Sequence, residues 1–256
     1  MLPLRDELPT RRTPIVTYLL IALNVVAFIW ESALVGVGHT QVVVDWGVVP
    51  AELWADPLNE AHTVISSMFM HAPNTWWHLG GNMLYLWIFG DNVEDALGRG
   101  RFLGFYLACG VVAALAQSLI SPASTIPIVG ASGAIAGVLA AYGSLYPRSP
   151  ITVLNPVLPL WFFVGPFFRL SAWVVILIFF LLNLINGIAT LGQDGGGVAF
   201  FAHLGGFLAG LLLVRLLLPP SQRKPPDQQG WTRPSTGGQR PRHRNHPSRL
   251  PQWPRR

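Results

Sequence analysis

After Pro14 the chain stays apolar to about Val35, and five further apolar runs follow, roughly Trp77 to Asn92, Phe102 to Leu119, Ser132 to Tyr146, Phe167 to Ile188 and Val198 to Leu218. Several approach the roughly 20 residues that a helix needs to cross a bilayer core about 30 Å thick. The first is too long for the apolar part of a cleaved signal peptide, so it reads as a retained span. Composition agrees: 51% of the 256 residues are hydrophobic and 11% charged, against about 25% charge in soluble domains. The expected fold class is an all-α polytopic membrane protein, six transmembrane helices over residues 14–218. A polar segment, 1–13, precedes the bundle. A tail rich in Pro, Gln, Gly and Arg, residues 219–256, follows it and is expected to be disordered, because it has almost no aliphatic side chains to offset its ordering entropy.

The net charge of +5 and a pI near 10.0 could point to nucleic acid, but the basic residues occupy the chain ends and short loops rather than a folded polar domain. They report topology instead. Arg5, Arg11 and Arg12 precede span one; Arg99 and Arg101 separate spans two and three; Arg148 and Arg169 flank the connection between spans four and five; Arg215 and later residues end the chain. The opposite loops, 36–76, 120–131 and 189–197, contain neither Lys nor Arg. Cytoplasmic loops are the ones enriched in Lys and Arg, so both termini are expected in the cytoplasm. The long first outer loop carries Trp46, Trp54, Trp76 and Trp77 among other apolar residues and reads as a segment lying in the outer interface. Cys109 is the single cysteine, which excludes a disulfide framework and a multi-cysteine metal site.

A few residues inside the spans are expensive to bury: His78 and Asn82 near the start of span two, Ser132 at the start of span four and His203 near the start of span six. Such residues are functional candidates by default, because burying them in hydrocarbon is costly. Even-numbered spans run inward, so all four belong to one outer level. Span four covers about 22 Å, less than the hydrocarbon core, so it is expected to begin within the membrane. Non-helical backbone at Ile126 to Ala131 would then line a wet cavity opening outward.

Gly130-Ala131-Ser132-Gly133 sets a hydroxyl at a helix start, where free N–H groups can stabilise an oxyanion. Gly133 and Gly137 in span four, and Gly206 and Gly210 in span six, form small-xxx-small pairs that would let the two helices pack backbone to backbone. That packing would bring His203 beside Ser132. A serine needs a neighbouring base to become a nucleophile, and imidazole titrates in the right range. No carboxylate shares their level within a span, which leaves a Ser-His dyad. His78 and Asn82, four apart on one helix face, offer donors to an oxyanion.

The ordered set His78-Leu79-Gly80-Gly81-Asn82, Phe89-Gly90-Asp91-Asn92-Val93-Glu94, Gly98 with Arg101-Phe102-Leu103, Gly130-Ala131-Ser132-Gly133-Ala134 and Ala202-His203-Leu204-Gly205-Gly206-Phe207 resembles the rhomboid family of intramembrane serine proteases. The resemblance implies Ser132 as nucleophile, His203 as general base, His78 and Asn82 as oxyanion-holding side chains, and Glu94 as a structural hydrogen-bonding residue. It implies a serine endopeptidase of the bacterial inner membrane, cutting membrane-protein substrates from the outer side with no cofactor, metal or nucleic acid involved. Some members carry a tyrosine one turn after the serine, against which the histidine packs. Here that position is Ala136, so His203 must be oriented by other contacts. The first outer loop also lacks the Trp-Arg pair found in some members. Two other classes compete: a non-catalytic relative that binds transmembrane segments, which would be expected to have lost Ser132 or His203, and a small transporter, for which no inverted repeat is evident.

Overall fold

The structure is a computed structural model, and it describes residues 2–72, 75–155, 161–189 and 199–219. The expected disordered tail, 219–256, lies outside the described residues from position 220 onward. In chain order the elements are β1 (Leu2–Asp6), α1 (Ile15–Gly36), the short helices α2 (Val42–Trp46), α3 (Pro50–Ala55), α4 (Pro57–Glu60) and α5 (Thr63–Ser66), then α6 (Trp76–Leu97), α7 (Arg99–Ile120), α8 (Ser132–Leu145), β2 (Pro150–Leu154), α9 (Trp161–Val164), β3 (Phe167–Ser171), α10 (Ala172–Ala189) and α11 (Phe200–Leu217).

Helix α8 is the hub. Every residue from Gly133 to Tyr142 is buried, as expected of a helix surrounded on all sides. Helices α6, α7, α10 and α11 pack against it, and α1 lies outside α6. α1, α7, α10 and α11 are long and apolar enough to cross a membrane. On α1 and α10 most side chains face outward, Leu19 and Ile185 each being more than 60% exposed. Apolar surface on that scale belongs against lipid rather than water. The chain is an integral membrane protein.

The small-residue pairs lie where α8 and α11 approach. A Cβ at Gly206 would collide with the carbonyl of Gly133, and one at Gly210 would lie 2.6 Å from the Cα of Gly137. α8 and α11 thus meet backbone to backbone, the geometry that small residues allow between membrane helices.

Two helix starts lack side-chain caps of their own and receive them from other helices. Glu94, near the end of α6, accepts from Val16 N at 3.1 Å, Thr17 N at 2.8 Å and the Thr17 hydroxyl at 2.8 Å. Gln117 of α7 accepts from Phe201 N at 3.1 Å and Ala202 N at 3.3 Å at the start of α11. In both places the first-turn N–H groups, which have no intrahelical acceptor, are satisfied by a side chain of a neighbouring helix.

The all-α expectation needs correction. β1, β2 and β3 form an antiparallel three-stranded sheet in that order, so residues 2–6 are a strand, and the fifth long helix begins at Ala172 rather than Phe167. The alternation in β2 explains the change: Ile151 and Val153 point inward and their neighbours are half-buried, the period-2 pattern of a strand. Asp6 fastens the sheet to the bundle, its Oδ2 accepting from Tyr142 Oη and Asn92 Nδ2, each at 2.8 Å. Arg169 of β3 pairs with Glu7 at 2.8 Å. The N-terminal strand and the connection between α8 and α10 therefore share one end of the bundle.

Candidate active site

At the end opposite the sheet, the chain enters α8 through an extended segment. Val48 and Ile128 exchange backbone hydrogen bonds at 3.1 and 2.7 Å, Ala51 N donates to Ser124 O, and Gly130 N donates to Ser67 O. The segment between α1 and α6 thus satisfies the polar backbone ahead of Ser132, which non-helical chain buried in a membrane protein requires. Gly130 has φ +124, a conformation that strains any residue with a Cβ. A Cβ here would also lie 3.0 Å from His78 Cε1 and 3.6 Å from Ser132 Oγ, so the glycine lets the His78 ring and the Ser132 hydroxyl approach the same strip of backbone.

His203 Nε2 lies 2.8 Å from Ser132 Oγ. The two expected partners, 71 positions apart, are brought together by the glycine contacts that hold α11 against α8. His203 is almost fully buried, while Ser132 is half-buried at the first position of α8. The N–H groups of that first turn precede the helical ladder and are available as donors. The arrangement can pass a proton between hydroxyl and imidazole and hold negative charge beside them.

His203 is oriented by two residues that the sequence reading missed. Its Nδ1 lies 2.5 Å from Asn183 Oδ1, and the Phe179 ring sits beside it with centroids 5.9 Å apart. Both belong to α10. They supply the contacts that Ala136 cannot. Asn183 was hidden because its run is dominated by apolar residues and an amide within it carries no signal of its partner.

His78 and Asn82 stand together through a third residue, His71. Asn82 Nδ2 donates to His71 Nε2 at 3.0 Å, and the rings of His71 and His78 lie 5.1 Å apart. His71 is in the connection before α6, where burial, reinforced by His78, pushes its imidazole down to about 4. It is therefore neutral at physiological pH and free to accept from Asn82. Glu31, in the last third of α1, is fully buried and accepts His71 N at 2.9 Å. This corrects the expectation that no carboxylate shares the level of the polar cluster. Glu31 reaches it through His71 and not through His203, so the pairing of Ser132 with His203 is unaffected.

Glu94 is not near Ser132; it occupies the other end of α6. A cavity of about 430 Å³ opens beside it, lined by Arg12, Thr13, Pro14, Asp95, Gly98 and Arg99 as well. It is distinct from the outward cavity expected at Ser132.

A family model described as Rhomboid domain matches residues 58–220. Among curated proteins, the chain is 32% identical to Rhomboid protein 1, mitochondrial, of Saccharomyces cerevisiae over 62% of this chain and 43% of that protein. It is 31% identical to Rhomboid protease GluP of Bacillus subtilis over 80% of this chain and 35% of that protein. It is 32% identical to Rhomboid-like protein 11, chloroplastic, of Arabidopsis thaliana over 60% of this chain and 51% of that protein. The chain thus spans about half or less of the length of each of these relatives.

Proposed function

The chain belongs to the rhomboid family, and from that premise we propose that it is an intramembrane serine endopeptidase that hydrolyses peptide bonds in or near transmembrane segments of other membrane proteins. The observation that carries this reading is the 2.8 Å contact between His203 Nε2 and Ser132 Oγ at the start of a buried helix.

Ser132 Oγ attacks the scissile carbonyl carbon while His203 takes its proton, and the C–O bond of an acyl-enzyme forms. His203 then gives that proton to the leaving amine as the C–N bond breaks. Water, deprotonated by the same imidazole, hydrolyses the ester and restores Ser132. The negative charge on the tetrahedral carbonyl oxygen is held by the first-turn N–H groups of α8 and by the side chains of His78 and Asn82. A peptide bond inside a helix is shielded by its own hydrogen bonds, so a substrate segment must unwind locally to reach Ser132.

Six spans are assigned: α1, α6, α7, α8, α10 and α11, within a membrane domain covering residues 14–218. The 14 residues of α8 extend about 21 Å, so its serine end lies below the outer surface. The gathering of Lys and Arg on the sheet side supports a reading with both termini in the cytoplasm and the site toward the outside. A bacterial inner membrane matches that orientation.

The test is modification by a fluorophosphonate, which reacts with activated serine hydroxyls. Wild-type protein in detergent is expected to be labelled at Ser132, and folded His203→Ala protein to lose that labelling. Equal labelling of both would remove His203 as the base.

A further inference from the structure

We propose that Asn183 is a positioning residue that holds His203 in its Nδ1–H tautomer, so that Ser132, His203 and Asn183 act as a triad; this rests on the hydrolytic reading above. Asn183 is a buried residue of α10, and its amide has one possible orientation. Nδ2 lies 2.8 Å from the carbonyl of Phe179, one turn earlier. A carbonyl only accepts, so the NH2 group must face it. Oδ1 is thereby turned toward His203 Nδ1, 2.5 Å away.

An amide oxygen also only accepts, and this fixes the imidazole. Nδ1 must carry the proton. Neutral imidazole has one N–H, so Nε2 presents its lone pair to Ser132 Oγ. The other tautomer would set lone pair against lone pair at Asn183 and point an N–H at the hydroxyl whose proton has to be removed. When His203 takes that proton, the bond to Asn183 Oδ1 becomes charge-assisted and strengthens. Asn183 therefore serves the transition state without touching substrate.

The surroundings leave this role to Asn183. Gln117 of α7 is occupied at Phe201 and Ala202. α8 offers Ser132. From α6 the titratable neighbour is His78, and among the described residues the ring nitrogens of His203 bond to Asn183 and Ser132 instead. Among the described residues no Asp, Glu, Lys or Arg side chain bonds to the ring. A neutral amide stabilises imidazolium less than a carboxylate would, so Asn183 sets tautomer and direction while leaving the base weak.

The experiment combines kinetics with ¹⁵N NMR of histidine-labelled protein in micelles, the His203 signal being identified by its loss in His203→Ala. Wild type and Ser132→Ala are expected to show the Nδ1–H tautomer. Asn183→Ala is expected to show a tautomer mixture and a kcat lowered roughly 10- to 100-fold, a part of what a general base supplies, with KM within about twofold. Asn183→Asp should keep the tautomer, retain turnover at high pH and move the acid limb of kcat/KM upward by about one pH unit or more. Folded Asn183→Ala protein with an unchanged His203 spectrum, kcat and acid limb overturns the proposal. Should that variant not fold, an unmoved His203 titration in Asn183→Asp overturns it equally. The spectrum does not depend on cleavage. An Asn183-dependent tautomer in a protein that neither cleaves nor labels would support the assignment and sink the hydrolytic reading alone.

Discussion

Glu94 receives both the backbone N–H and the hydroxyl of Thr17 at 2.8 Å, so the last turns of α6 cap the first turn of α1. Truncation to Glu94→Ala strands the N–H groups of Val16 and Thr17 away from acceptors. Each buried orphan costs about 1–3 kcal/mol, and a loss of about 2–5 kcal/mol in unfolding free energy is expected in detergent. Glu94→Gln keeps one accepting oxygen and should lose less. Because Glu94 sits at the far end of α6 from Ser132, fluorophosphonate labelling per folded molecule should remain near wild type. A variant that is as stable as wild type would show that α1 finds another cap.

Backbone contact between α8 and α11 makes Gly210 intolerant. A Cβ there would meet Gly137 Cα at 2.6 Å, so Gly210→Ala must push the helices apart, with a cost of about 1–3 kcal/mol, as for other overpacked sites. The same shift would draw His203 from Ser132. Gly104 of α7 is the control: nothing lies within 4 Å of a Cβ at that position, and Gly104→Ala should be neutral or stabilising by up to about 1 kcal/mol. Equal Tm values and labelling rates for the two variants would contradict the packing account.

Asp6 gives the sheet a pH signature. Burial raises its carboxyl above the ordinary 3.8, and the hydrogen bond from Tyr142 offsets only part of that. The folded chain therefore holds this proton to higher pH than the unfolded chain, and stability contributed by the protonated form is lost as pH climbs from about 4 through the raised value. Asp6→Asn removes the titration while keeping an oxygen for Tyr142 and Asn92. Thermal unfolding from pH 4 to 7 should show a Tm that falls more steeply for wild type than for Asp6→Asn. Parallel curves would be inconsistent with the assignment.

His78 and Asn82 are assigned to the oxyanion and not to proton transfer. Loss of one such donor typically costs about 100- to 1000-fold in turnover, and His78→Ala and Asn82→Ala are each expected to fall in that range. The remaining donors keep some activity, and Ser132 should still be labelled. His71→Ala frees Asn82 from its partner and should show a smaller defect of the same kind. Wild-type kcat in both His78→Ala and Asn82→Ala would leave the oxyanion to backbone donors alone.

Much of this was legible in the sequence because membrane helices leave strong signals. The apolar runs located the long helices, and the two glycine pairs are visible as small-residue spacings in the runs that become α8 and α11. What escaped was of two kinds. Phe167 to Ser171 runs straight into the apolar helix that follows it, and its strand character comes from pairing with Pro150 to Leu154, a partner that hydropathy cannot see. Glu31, His71, Gln117 and Asn183 act through hydrogen bonds to residues distant in the chain, and a polar residue in an apolar run does not reveal its partner. Ala136 did give a clue: with no aromatic there, something else had to hold His203.

Cleavage of a tagged single-span membrane protein in liposomes, by wild type and by Ser132→Ala, tests the central claim most directly. The account predicts product from wild type and none above background from a folded Ser132→Ala protein. Equal cleavage by the two proteins would contradict it.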